Sequence, residues 1–220
     1  MRVSNRRGTM RIVSAIVALV VGAAPALALE LSRHENDSAT LAAVMARGKI
    51  EPGDAARFRK YLASVPPRKR VAVYLDSPGG RLYEGMRLGL AFHELGVRTV
   101  IEGNGAICLS ACALAFLAGQ DGAGKPWRTK SSTSLLGFHS WESQIPDGKA
   151  YTAADMRELE RDTQKTVLDV ADYLKTIGTD LEFLRVMFRA SASDMNFVSN
   201  PEAIKIGIKV WDEKSNSFQQ

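Results

Sequence analysis

Ser110 stands between two cysteines, Cys108 and Cys112, at the start of a run of small apolar residues, and a later apolar stretch ends in Gly137-Phe138-His139. A serine hydroxyl is a weak nucleophile at its own pKa and attacks a carbonyl only when a base within hydrogen-bonding reach takes its proton. Of the three histidines, His139 is the best candidate for that base, because His34 lies in a polar entry segment and His93 falls on the solvent side of an amphipathic pattern. A general base also wants a group that fixes its tautomer, usually a carboxylate, and Asp194 is the nearest match. Acyl transfer further requires donors aimed at the oxygen as charge develops. Asp76-Ser77-Pro78-Gly79-Gly80 turns the backbone sharply and leaves amides unobstructed by side chains, which makes Gly80 and Ala111 the candidate oxyanion donors. Plainer readings stand beside these: Ser110 as a helix N-cap, and Ser-Pro-Gly-Gly as a turn and nothing more.

The two cysteines form either a disulfide around Ser110 or a pair of small buried thiols. A metal held by Cys108, Cys112 and His139 is the weaker alternative, since the chain lacks dense ligand clusters, and neither a metal nor another cofactor is expected.

These groups need elements to position them. Val71-Ala72-Val73-Tyr74-Leu75 is a β-branched run that predicts a buried strand leading into the glycine turn. Helices are expected from Pro52-Gly53-Asp54 to about Ala63 and from about Tyr83 to Leu95, with a strand from Thr99. Leu41 to Ala46 fits strand or helix by periodicity alone. Ser110 to Ala118 predicts a helix buried on nearly every side, Gly119 to Ser134 a polar loop, and Leu135 to His139 a strand. From Ala153 to about Thr176 a long helix carries Met156, Leu159, Thr163, Val167, Val170 and Leu174 along one face, a stripe for core packing or for a partner subunit. The alternation of strands and helices argues an α/β domain with crossover connections.

Four arginines precede the apolar run Ile12 to Ala24, and Ala26-Leu27-Ala28 offers small residues to a signal peptidase. Residues 1 to 28 therefore read as a signal peptide and 29 to 220 as one domain, exported to the periplasm. The run is short for a membrane span, so contact with the inner membrane is expected only if the leader stays uncleaved. The net charge of +5 less those four arginines leaves +1 for the rest, which argues against a nucleic-acid partner.

Taken together, Gly48-Lys49-Ile50 with Gly53-Asp54-Ala55, Leu75-Asp76-Ser77-Pro78-Gly79-Gly80, Cys108-Leu109-Ser110-Ala111-Cys112, Gly137-Phe138-His139 and Phe197-Val198-Ser199-Asn200-Pro201-Glu202-Ala203 resemble the ClpP-like serine peptidases of the ClpP/crotonase superfamily, most closely their exported branch. The resemblance runs from about Ala42 to Val210. It implies a spiral of strand-strand-helix units with an extended handle-like helix from Ala153. It also implies Ser110 as nucleophile, His139 as base, the amides of Gly80 and Ala111 as oxyanion hole, a peptide or protein substrate, and a homo-oligomer. The family's catalytic aspartate precedes Arg-Phe-Leu-Ser, and in that register Met195 takes its place, with Asp194 one residue early and Asn196 one late. The leading expectation is an exported endopeptidase acting through an acyl-enzyme on Ser110; the alternative is a catalytically silent binding or assembly protein with the same fold. Ser-Lys chemistry and a crotonase-type acyl-CoA enzyme rank lower, because no lysine recommends itself and export removes coenzyme A.

Overall fold

The computed structural model describes residues 28–142, 145, 148 and 150–219. The leader, up to Leu27, lies outside the described residues. The main sheet has seven strands in the order β1-β2-β3-β4-β6-β9-β10. Its centre is parallel: β2 (Leu41–Arg47), β3 (Arg70–Asp76), β4 (Val97–Ile101), β6 (Arg128–Ser131) and β9 (Lys209–Asp212). Short antiparallel strands close both edges, β1 (Glu30–Arg33) against β2 and β10 (Ser217–Phe218) against β9. A second sheet orders β5 (Ile107–Leu109), β7 (Leu135–Phe138) and β8 (Asn196–Phe197), with β5 and β7 parallel. The fold is thus mixed α/β with an extensive, largely parallel sheet.

Strand alternation divides the main sheet into two unlike faces. Val44, Ala46, Val73, Leu75, Val97 and Ile101 point into the principal core, where they meet Phe58 of α1 (Asp54–Ser64), Leu88 and Phe92 of α2 (Leu82–Glu94), and all of α3 (Ala111–Phe116). Phe58 and Phe92 meet edge to face at 4.8 Å between ring centroids. The Glu84 carboxylate of α2 is buried and accepts from the Ala55 amide at 2.9 Å, so one of the free amides in the first turn of α1 is satisfied by the neighbouring helix. On the opposite face Ala43, Ala72 and Tyr74 pack with Leu41, Met45 and Val100, a cluster to which no helix of the described residues contributes.

The stretch expected as a loop from Gly119 to Ser134 contains β6. Arg-Thr-Lys-Ser carries no apolar signal, yet all four residues are buried because β6 is hydrogen-bonded between β4 and β9. Its inward side chains are cations. Arg128 donates to Thr179 Oγ1 at 2.6 Å, and Lys130 Nζ donates to the Ser131 carbonyl and to Asn200 Oδ1 at 2.7 and 2.6 Å. Burial holds Arg128 down to a pKa of about 10 and lowers that of Lys130.

The long helix α4 (Ala153–Thr176) opens on a capping box between Thr152 and Asp155. Its buried residues are confined to Val170, Tyr173 and Leu174 near the C-terminal end. The earlier part of the expected stripe does not reach the core: Met156 is 51% exposed. Tyr173 anchors the helix, its hydroxyl donating to the Leu114 carbonyl of α3 at 2.7 Å. Two short helices follow, α5 (Glu182–Met187) and α6 (Asn200–Lys205). Among the described residues no helix is long and apolar enough to cross a membrane.

Candidate active site

Ser110 occupies the turn from β5 into α3, with φ 56° and ψ −122°. An N-cap serine normally has extended backbone and accepts from an amide of the first turn. Ser110 has positive φ and makes no side-chain capping bond, so capping does not account for it. A non-glycine residue in such a conformation costs about 1–3 kcal/mol and persists only where its surroundings enforce it. Here three restraints are visible. The Ser110 amide donates to the Gly137 carbonyl at 3.0 Å, β5 is held on its other side by Ser77, and Cys108 and Cys112 are joined by a disulfide that spans the turn. A strained serine on a sharp strand-to-helix turn is an arrangement that can expose a nucleophilic hydroxyl, and Ser110 is partly exposed.

The glycine turn packs directly against this serine. A Cβ on Gly79, whose φ is +94°, would lie 2.8 Å from Ser110 Cβ and 3.1 Å from the Ala111 nitrogen. Gly80, at φ +151°, leaves no room for a side chain, since a Cβ there would come within 2.1 Å of the Ile50 carbonyl oxygen. Ile50 grips the turn from both sides, donating to the Gly79 carbonyl at 2.8 Å and accepting from the Arg81 amide at 3.0 Å. Among the described residues the amides of Gly80 and Ala111 donate to no protein acceptor. Two free backbone donors therefore flank Ser110, one of them at the start of a helix, where the peptide dipoles favour negative charge.

His139 follows β7, the strand paired with β5 in the register Leu109 to Gly137. Ser110 and His139 thus leave adjacent parallel strands at the same end. The histidine Nδ1 lies 2.6 Å from the Ser140 carbonyl oxygen. A carbonyl only accepts, so this contact assigns the ring proton to Nδ1 and leaves Nε2 as the basic nitrogen. No hydrogen bond joins Ser110 to His139.

Asp194 is not brought to His139. It is exposed, and its Oδ1 accepts from the Met195 amide at 2.8 Å. The register Phe138 to Asn196 on β8, extended by one residue, sets Met195 opposite His139. Met195 packs over β7, where a Cβ on Gly137 would lie 2.8 Å from its Cγ and Sδ. Asn196 is turned to the Val186 carbonyl, to which it donates at 2.9 Å. The group that orients the imidazole is the Ser140 carbonyl, a backbone atom that side-chain motifs do not mark.

Trp141 and Phe188 meet edge to face at 5.1 Å just beyond His139, an apolar pair that no local sequence motif marks. Among the described residues no three His, Cys, Asp or Glu side chains cluster to hold a metal, and the disulfide removes the thiolates that the Cys108, Cys112 and His139 set would need. No protein-family model matches the chain, and comparison with curated proteins yields no match.

Proposed function

We propose that this protein is an exported serine hydrolase, an endopeptidase of the ClpP-like kind. The observation that supports it most is the strained backbone of Ser110 beside the free amides of Gly80 and Ala111. In this reading Ser110 Oγ attacks the scissile carbonyl while His139 Nε2 takes its proton. The oxyanion is held by the two amides, each worth about 3 kcal/mol of transition-state stabilisation. His139 then returns the proton to the leaving amine, and water hydrolyses the acyl-enzyme by the same route in reverse. The Ser140 carbonyl keeps Nδ1 protonated but, being uncharged, stabilises the imidazolium less than a carboxylate does, so turnover is slow. Residues 1–28 direct export to the periplasm, and the protein works as a homo-oligomer on peptide or protein substrates.

A second reading, a binding or assembly protein without turnover, is favoured by one observation: Met195 faces His139 where a carboxylate would complete a triad. Fluorophosphonate labelling of the purified exported protein separates the two. Covalent modification mapped to Ser110, abolished by Ser110→Ala and slowed at least about a hundredfold by His139→Ala, is expected of the hydrolase. An unlabelled, well-folded wild-type protein would sink that reading and favour the silent one.

A further inference from the structure

The face of the seven-stranded sheet opposite α1, α2 and α3 carries a pocket that the serine chemistry does not use. It has a volume of about 240 Å³ between aromatic walls, Tyr74, Trp127, Trp211 and Phe218, with Glu102, Thr129 and Ser131 as polar groups, the Ser131 hydroxyl already engaged with Thr133 Oγ1 at 3.0 Å. Thr129 sits at the centre of its floor, paired across the sheet with Val100 on one side and Lys209 on the other.

Two observations point to a ligand. Thr129 is only 9% exposed, and its Oγ1 has no hydrogen-bond partner among the described residues. A hydroxyl shut away from water without a partner is costly and calls for an explanation. Glu102, which is exposed, is among the described residues the one charged group that lines the pocket. It makes no ion pair among the described residues and accepts one hydrogen bond, from Asn36 Nδ2 at 3.1 Å. Partial desolvation of the carboxylate, followed by the charges of Glu35 and Glu213, pushes its pKa up, as expected of an acid short of a cation. The nearby cations sit on the Trp127 wall, away from Glu102, with Lys209 Nζ also 5.9 Å from the centroid of the Phe218 ring. The Arg98 guanidinium lies 4.0 Å and Lys209 Nζ 3.6 Å from the centroid of the Trp127 ring.

We propose that this pocket binds an organic cation, an ammonium or guanidinium group on an apolar stem. Glu102 takes the charge, Thr129 Oγ1 accepts an N–H, and the stem lies along the aromatic walls. Arg98 and Lys209 repel a second positive charge at the Trp127 end, so the cationic group is held at the Glu102 end. A basic side chain of a peptide and a free alkylamine share this chemistry. The inference does not rest on Ser110 being a nucleophile.

Intrinsic fluorescence is a direct readout, because Trp127 and Trp211 line the pocket and the chain has three tryptophans. The purified protein is titrated with spermidine, with a capped tripeptide bearing a central arginine, and with n-butylammonium beside n-butanol and butyrate. The expected result is a saturable change for the cations at roughly millimolar concentration and none for butanol or butyrate. Glu102→Gln should weaken it about tenfold and Thr129→Val several-fold, both variants being checked by thermal melting. Tighter binding of the tripeptide identifies a protein's basic side chain as the natural ligand, and tighter binding of spermidine identifies a free amine. Absence of saturation with every cation, equal response to butanol, or unchanged affinity in a folded Glu102→Gln protein overturns the proposal.

Discussion

At Ser110 the backbone holds a shape that a side chain resists, and the adjoining restraints keep it there. Ser110→Gly removes the steric conflict, so urea denaturation should show the variant more stable by about 1 kcal/mol, while labelling is lost. Asp194 gives the opposite test. Its carboxylate holds its own neighbour's amide and not His139, so Asp194→Ala should change the labelling rate of Ser110 by less than about twofold. His34 supplies a pH prediction. Its ring stacks on Tyr74 at 3.7 Å, and desolvation lowers its pKa, outweighing the opposing charge of Glu35. The native state therefore favours the neutral ring, and its contribution, present above the ordinary histidine pKa of about 6.5, is lost as pH falls through the lower folded value. His34→Phe keeps the stack without the titration, so melting temperatures taken from pH 7.5 down to 5 should show the wild type losing stability relative to the variant.

Among the elements, the turn after β3 and the turn into α3 form one unit, joined by the Ser77 bridge and by the contact of Gly79 with Ser110. Gly80→Ala would force its new methyl group onto the Ile50 carbonyl. It should destabilise the chain by more than about 1 kcal/mol and remove labelling in whatever protein remains folded. The disulfide closes a very short loop, for which the chain-entropy account gives about 2 kcal/mol. Cys108→Ala/Cys112→Ala should lose about that much in urea denaturation, and its Ser110 should label more slowly, since the turn has lost one of its restraints.

For the molecule as a whole, the first half of α4 is left uncovered by the described residues of its own domain. Roughly three turns of isolated helix are marginal in water, yet among the described residues Met156 and its neighbours meet no core. We propose that a second copy covers them. Sedimentation should show an oligomer for the wild type and dissociation for Met156→Asp/Leu159→Asp; a monomeric wild type at micromolar concentration would overturn this.

The candidate nucleophile, base and oxyanion donors were legible in the chain itself, because glycine pairs, a proline turn and a serine opening an apolar run are local signals that report local backbone needs. So were the strand Arg70–Asp76 and the helices from Asp54, Leu82 and Ala153, whose apolar spacing declares which side must leave water. Whether Leu41–Arg47 was strand or helix depended on its neighbours: pairing with β3 makes it a strand. Strand β6 was invisible for the same reason, since Arg-Thr-Lys-Ser is buried only by the strands on either side of it. The conformation of Ser110, the closure of Cys108 on Cys112, the Ser140 carbonyl at the imidazole and the aromatic pocket on the far face were decided by tertiary structure alone. Each depends on which distant segments meet, and a sequence pattern records the demands of one segment at a time.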